Sequence, residues 1–113
     1  MKFKVFQINL SNAQIDEINT AKERPAYYEK YLNTTFRPTA ESIQAASDMY
    51  RLVAEIEAKS LGQVFDIGNI GPEEQIRRIA PMHSVSVGDI IVDETGRAKF
   101  VAPMGFESVN FQG

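Results

Sequence analysis

The chain has no cysteine, no tryptophan and only one histidine in 113 residues. Without thiols, disulfides, thiolate nucleophiles, zinc fingers and iron–sulfur ligation are excluded. The lack of cysteine suits a reducing compartment, so a cytoplasmic location is expected. With one histidine the sequence holds no HxH or HExxH pattern, and neither a metal nor a cofactor is expected. Long apolar runs are missing too: none approaches the roughly 18–20 residues that span a bilayer. Met1-Lys2-Phe3-Lys4-Val5-Phe6 lacks the apolar centre and small-residue cleavage site of a signal peptide, and no membrane partner is expected. Positive charge is scarce, with 12 Lys and Arg against 15 Asp and Glu, a net charge of −3 and a pI near 5.1. This balance argues against general binding to nucleic-acid backbones, and −3 is too small for an acidic DNA mimic. The seven glycines form neither GxGxxG nor P-loop spacing, so no nucleotide cradle is expected.

What is present is ordinary globular material, 43% hydrophobic and 24% charged. The length suits a single domain over residues 1–113. Phe6, Ile8 and Leu10 alternate with polar residues and predict a strand within 2–10. Ser11 and Gln14 form a capping-box pattern that opens a helix over 12–20. Pro25 starts a second helix carrying Tyr27, Tyr28, Tyr31 and Leu32 on one face, a stripe read first as core. Thr39 starts a third helix, over 39–48. Tyr50, Leu52, Ala54 and Ile56 then alternate, which predicts a strand over 50–57, although Met49, Tyr50 and Val53 also fit a helical period. Ser60 and Gln63 repeat the capping signal for a helix over 61–67, with Gly68 or Asn69 as its stop. Gly71-Pro72-Glu73-Glu74 predicts one more helix, with acids first, Arg77 and Arg78 near its end, and Pro81 beyond. The last third predicts a hairpin: Asp89-Ile90-Ile91-Val92, a turn at Asp93-Glu94-Thr95-Gly96, and a return strand over 98–102. Val109 ends a short terminal strand. The expected class is a small single α+β domain: a short N-terminal strand and helices, then a small antiparallel sheet with a C-terminal hairpin.

Candidate chemistry is thin. His83 is read as closing a loop or bonding to a turn backbone. Pairing it with Ser84 or Ser86 as a nucleophile is disfavoured because sequence neighbours seldom reach that geometry. In Ser84-Val85-Ser86-Val87-Gly88-Asp89, hydroxyls and a carboxylate could grip a polar partner. Equally, Gly88-Asp89 could make a tight turn whose side chains bond nearby amides. Glu55 and Glu57 share one side of a strand and are read as surface charges rather than an acid–base pair. Glu73-Glu74 fits a helix start, and Arg77-Arg78 a solvated face. Met104 and Phe106 sit beside Pro103 and Gly105. Burial is the favoured reading, while exposure would make them a partner-binding tip. No catalytic residue is assigned, and the chain is expected not to be an enzyme.

Leu61-Gly62-Gln63-Val64-Phe65-Asp66-Ile67-Gly68-Asn69, then His83-Ser84-Val85-Ser86-Val87-Gly88-Asp89-Ile90-Ile91-Val92, then Gly105-Phe106 resemble the YodL-like domain. That family shows a leucine-led helix ending near Asn, a Ser-x-Ser-Val-x-Asp-Val-Val core, a strand and a Gly-Phe ending. The resemblance spans residues 49–109. Gly88 departs from the family's small polar residue, and Val101-Ala102-Pro103-Met104 departs from its aromatic and acidic residues. The resemblance implies a cytoplasmic accessory protein of bacteria, plasmids or phages and implies no catalytic residues. The leading expectation is a non-enzymatic protein-interaction domain of a bacterial mobile element, binding through His83, Ser84, Ser86, Asp89, Met104 and Phe106. Its partner would be another protein, with homo-oligomerisation as a further option. The alternative is a nucleic-acid-binding accessory protein, which needs Arg77, Arg78, Arg97 and Lys99 to converge beside Tyr27, Tyr28 or Tyr31. A third reading, a hydrolase using His83 with Ser84 or Ser86, ranks well below both.

Overall fold

A computed structural model describes residues 1–112. In chain order it contains β1 (Lys2–Gln7), α1 (Asn12–Thr20), α2 (Ala26–Thr35), α3 (Ala40–Ala45), β2 (Arg51–Glu57), α4 (Leu61–Ile70), β3 (Ile76–Arg78), β4 (Ile90–Val92), β5 (Ala98–Val101) and β6 (Phe106–Val109). The strands form one sheet in the order β3-β2-β1-β4-β5-β6, and each neighbouring pair is antiparallel. The α+β class and the C-terminal hairpin are as the sequence predicts. The N-terminal strand lies in the middle of the sheet, between β2 and β4.

The local signals explain most of the helices. Ser11 and Gln14 close a reciprocal capping box at α1, with bonds of 2.8 and 3.1 Å, so two otherwise orphaned amides are satisfied. Thr39 and Ser42 do the same at α3. The third helix is shorter than expected: α3 ends at Ala45 and a separate 3-10 turn covers Ser47–Met49. In α4, Ser60 Oγ accepts the Gln63 amide at 3.2 Å. This helix runs to Ile70, past its expected stop at 67. Gly68 and Asn69 serve packing instead of termination. A Cβ on Gly68 would lie 2.3 Å from Val85 Cγ2, so glycine lets the following loop press against the helix. Asn69 Nδ2 donates to Phe65 O within the helix and to Val85 O in that loop, at 2.7 and 3.1 Å.

The helix expected after Gly71 is not formed. A single 3-10 turn, Glu73–Gln75, leads directly into strand β3. Local helix-start chemistry is outweighed by pairing with the free side of β2, where Arg78, Arg77 and Ile76 stand opposite Ala54, Glu55 and Ile56. Glu73 still meets Arg78, at 2.6 and 3.1 Å, but as a two-pronged surface ion pair across the turn.

The sheet is packed on both faces. Phe3, Val5, Val53, Ala54, Ile56, Val64, Ile67, Val85, Ile91 and Val101 form one core, beneath α4 and the loop that follows β3. Phe6, Ile8, Ile43, Ala46, Tyr50, Ile90, Phe100 and Phe111 form the other, beneath α3 and the C-terminal segment. A register shift lies between Val5 and Phe6, where Val53 has no opposite residue. This bulge reverses the alternation along β2. Tyr50 and Leu52 therefore serve the second core, and Ala54 and Ile56 the first. It also turns the Val53 carbonyl outward to accept the amides of Ile79 and Ala80, at 2.8 and 3.2 Å. Among the described residues, no helix is long and apolar enough to cross a membrane.

Candidate functional site: the 83–89 loop and an adjoining apolar groove

The register of β1 on β4 pairs Phe6 with Ile90, so the next residues, Gln7 and Asp89, face each other at the strand ends. Gln7 is fully buried, and its amide ties the loop down. Its Nε2 donates to His83 O at 2.9 Å and to Asp89 Oδ2 at 3.0 Å, and its Oε1 accepts the His83 amide at 3.1 Å. Asp89 Oδ2 also accepts the Ser86 amide at 2.9 Å. Gly88 has φ +94, and a Cβ there would sit 2.1 Å from the Thr34 carbonyl oxygen, which only glycine allows. The Tyr50 hydroxyl donates to Gly88 O from below. Gly88 N and Val101 O, with Val101 N and Asp89 O, join the loop to β5 at 2.8 and 2.9 Å.

The electrostatics follow from this burial. Burial pushes the Asp89 carboxyl up to about 6, and the Ser86 amide, His83 and Gln7 partly oppose that rise. The Tyr50 hydroxyl is also raised above its ordinary value, first by burial and then by the negative charge of Asp89. The enclosed space between Tyr31, Thr34, Tyr50, Ser86 and Asp89 is only about 50 Å³. That is room for a water or two, not for a metabolite.

The candidate residues thus separate into two groups. Asp89 faces inward and stabilises the loop; it is not available to grip a partner. His83 is exposed, with Nδ1 2.8 Å from Ser84 O and its backbone held by Gln7, which is the loop-closing role expected for it. Neither Ser84 nor Ser86 offers its hydroxyl to the imidazole among the described residues, so no nucleophile–base pair is assembled. Ser84 and Ser86 are exposed. Met104, for which burial was the favoured expectation, is 92% exposed because Pro103 and Gly105 carry the chain around a turn outside the sheet. Phe106 is half-buried against the first core.

Ser86 and Phe106 meet in one place. A groove of about 520 Å³ lies between α4 and the β5–β6 turn, lined by Gly62, Phe65, Asp66, Val85, Ser86, Val87, Val101, Ala102, Pro103, Gly105 and Phe106. Its surface is mostly apolar and includes the exposed ring of Phe65; Met104, exposed at the tip of the β5–β6 turn, does not line it but sits between the lining residues Pro103 and Gly105. Two hollows of about 550 Å³ elsewhere are more polar, one around Lys2, Lys4, Glu55 and Glu94 and one around Glu57, Lys59, Gln63 and Asp66. Sequence reasoning missed Gln7, Tyr50 and Thr34 as parts of the loop's support. The available signal was a neutral amide, Gln7, set between the apolar Phe6 and Ile8 at the end of the N-terminal strand.

The basic residues do not converge. Arg77 pairs with Glu55 at 3.6 Å and Arg78 with Glu73 at 2.6 Å, both on β3. Arg97 and Lys99 belong to the β4–β5 hairpin, and β5 lies four strand spacings from β3, or about 19 Å at the usual strand spacing. The tyrosine stripe is half-buried. Tyr27 bonds to Glu17 and to the Gln14 carbonyl on α1, at 3.0 and 3.3 Å, and the Arg24 guanidinium lies 4.9 Å above the Tyr28 ring. Tyr31 packs on the edge of the second core. No family model, curated protein or solved structure matches this chain.

Proposed function

We propose that this domain is a non-enzymatic adaptor that binds another protein through the groove between α4 and the β5–β6 turn. The observation that carries the reading is the mostly apolar groove itself, about 520 Å³ in volume, walled on one side by Pro103 and Gly105, which flank the 92% exposed Met104 at the tip of the turn. A concave apolar surface rimmed by polar residues is the kind that marks interaction sites. Ser86 adds a hydroxyl at the rim, whereas Ser84 faces a separate hollow beside Asn69 and Ile76. Asp89 contributes indirectly, by holding the loop that forms one wall. The bacterial mobile-element setting rests on the resemblance to the YodL-like domain over residues 49–109 and on nothing else. A nucleic-acid role has less support, since Arg77 and Arg78 are ion-paired away from Arg97 and Lys99.

The test is affinity capture of the tagged chain from a bacterial lysate, with and without nuclease, beside Met104→Asp. Met104 makes little use of the fold, so the variant should keep its stability to within about 0.5 kcal/mol. The expected result is a protein retained after nuclease treatment and lost with Met104→Asp. Recovery that needs nucleic acid, or that ignores Met104→Asp, would refute the reading.

A further inference from the structure

β6 is an edge of the sheet, with no strand paired on its outer side among the described residues. The bonds joining Val101 to Gly88 and Asp89 turn its amide and carbonyl toward β4. By alternation, Phe100 and Ala98 turn theirs toward β6, where they stand opposite Glu107 and Val109. Phe106 and Ser108 therefore direct their amides and carbonyls away from the sheet, and neither makes another hydrogen bond among the described residues. The strand has no proline, no lysine and a single charge at Glu107, and α3 packs against it, with Gln44 bonded to Asn110 O just beyond its end.

Side chains on β6 divide by face. Phe106 packs with the first core and lines the groove, and Ser108 stands opposite Lys99 on that same face. Glu107 stands opposite Phe100, on the face of α3, and is exposed. A second copy pairing antiparallel about the middle of this strand would bring two Glu107 side chains directly opposite each other, a repulsive cross-strand pair. The charge instead suits a lysine or arginine on the incoming strand.

We propose that the partner docks by strand addition: an extended segment of another protein pairs with the free edge of β6. It presents apolar side chains to the groove on one face and a basic residue to Glu107 on the other. This inference rests on the groove reading above and specifies how the groove is used. Backbone pairing supplies affinity that is blind to sequence, and the apolar–basic–apolar alternation supplies the selectivity.

The test uses the full chain and a phage-displayed library of random dodecapeptides. Enriched peptides should carry Lys or Arg between two apolar residues at alternate positions, and Glu107→Lys should shift the selection toward Asp or Glu. With the best synthetic peptide bound, amide exchange of Phe106 and Ser108 should slow at least tenfold, and N-methylation of the peptide's edge-facing amides should abolish binding. Absence of enrichment over the uncoated surface would overturn the proposal, as would a selection that Glu107→Lys leaves unchanged. Peptides that bind, are lost with Met104→Asp, and leave Phe106 and Ser108 exchanging freely would overturn strand addition while keeping the groove. Peptides that slow those amides yet still bind Met104→Asp would count against the groove reading.

Discussion

Asp89 should make the domain less stable as pH rises from about 4 to 6, the reverse of the usual effect of a paired carboxylate. Its ordinary value is 3.8, and burial raises it to about 6 in the folded chain. Between these values the folded state holds a proton that the unfolded state has released. The unfolded state then binds fewer protons, so unfolding free energy falls with pH across the window and is level above it. At about 1.4 kcal/mol per pH unit, the contribution lost is about 3 kcal/mol. Glu73 and Asp93 have lowered values and act in the opposite sense, so the informative quantity is a difference between variants. Asp89→Asn supplies it. The asparagine oxygen can take the place of Oδ2 and accept from both Gln7 and Ser86, while no charge is buried. Urea unfolding followed by circular dichroism, at pH values from about 4 to 8, should show the two proteins diverging through the window. Asp89→Asn should be more stable by up to about 3 kcal/mol at the alkaline end. Asp89→Ala, which leaves the Gln7 amide and the Ser86 N–H without their acceptor, should be less stable than Asp89→Asn by about 2 kcal/mol or more. A wild-type curve that rises relative to Asp89→Asn between pH 4 and 6 would refute the reasoning.

Two further substitutions probe the same loop from beneath. Gly88→Ala forces a side chain into a left-handed conformation and places its Cβ 2.1 Å from the Thr34 carbonyl oxygen. We expect a loss of about 3 kcal/mol or more in urea unfolding, and a loss under 1 kcal/mol would show that the loop does not press on α2 as described. Tyr50→Phe removes the only hydroxyl bonded to the buried Gly88 carbonyl among the described residues and should cost about 1–2 kcal/mol, checked by the same measurement; an unchanged midpoint would show that water replaces the bond.

How much of this was legible in the sequence depended on whether the signal was local. The Ser11–Gln14 cap and the Asp93–Gly96 turn are settled by neighbours in the chain, and both were read correctly. In that turn Asp93 Oδ1 accepts from the amides of Thr95 and Arg97, at 2.9 and 3.1 Å. The segment after Gly71 failed because its local pattern favours a helix while its conformation is decided by Ala54, Glu55 and Ile56 on a distant strand. Gly68 and Asn69 looked like a helix stop for a similar reason: nothing nearby in sequence announces that Val85 will pack on them. On β2 the apolar alternation was correctly seen as a strand, yet the bulge at Val53 divides that alternation between two cores.

The same distinction explains why the string at 83–89 looked like a binding motif. Its polar residues were conspicuous because they interrupt apolar sequence, and two different physical needs produce that interruption. Asp89 is polar because the amide of Ser86 and the side chain of Gln7, 82 residues away, require an acceptor inside the protein. Ser84 and Ser86 are polar because they face water. The outward part of the loop meets Phe106 only because Gly88 follows β5 closely enough to bond Val101. The docking surface proposed above, made from α4, the loop and the β5–β6 turn, would therefore depend on a buried network behind it. Loss of Gln7 or Asp89 should accordingly weaken partner capture through displacement of the groove wall. Met104→Asp should abolish capture with the fold intact. Stability measured beside capture separates the two routes to lost binding.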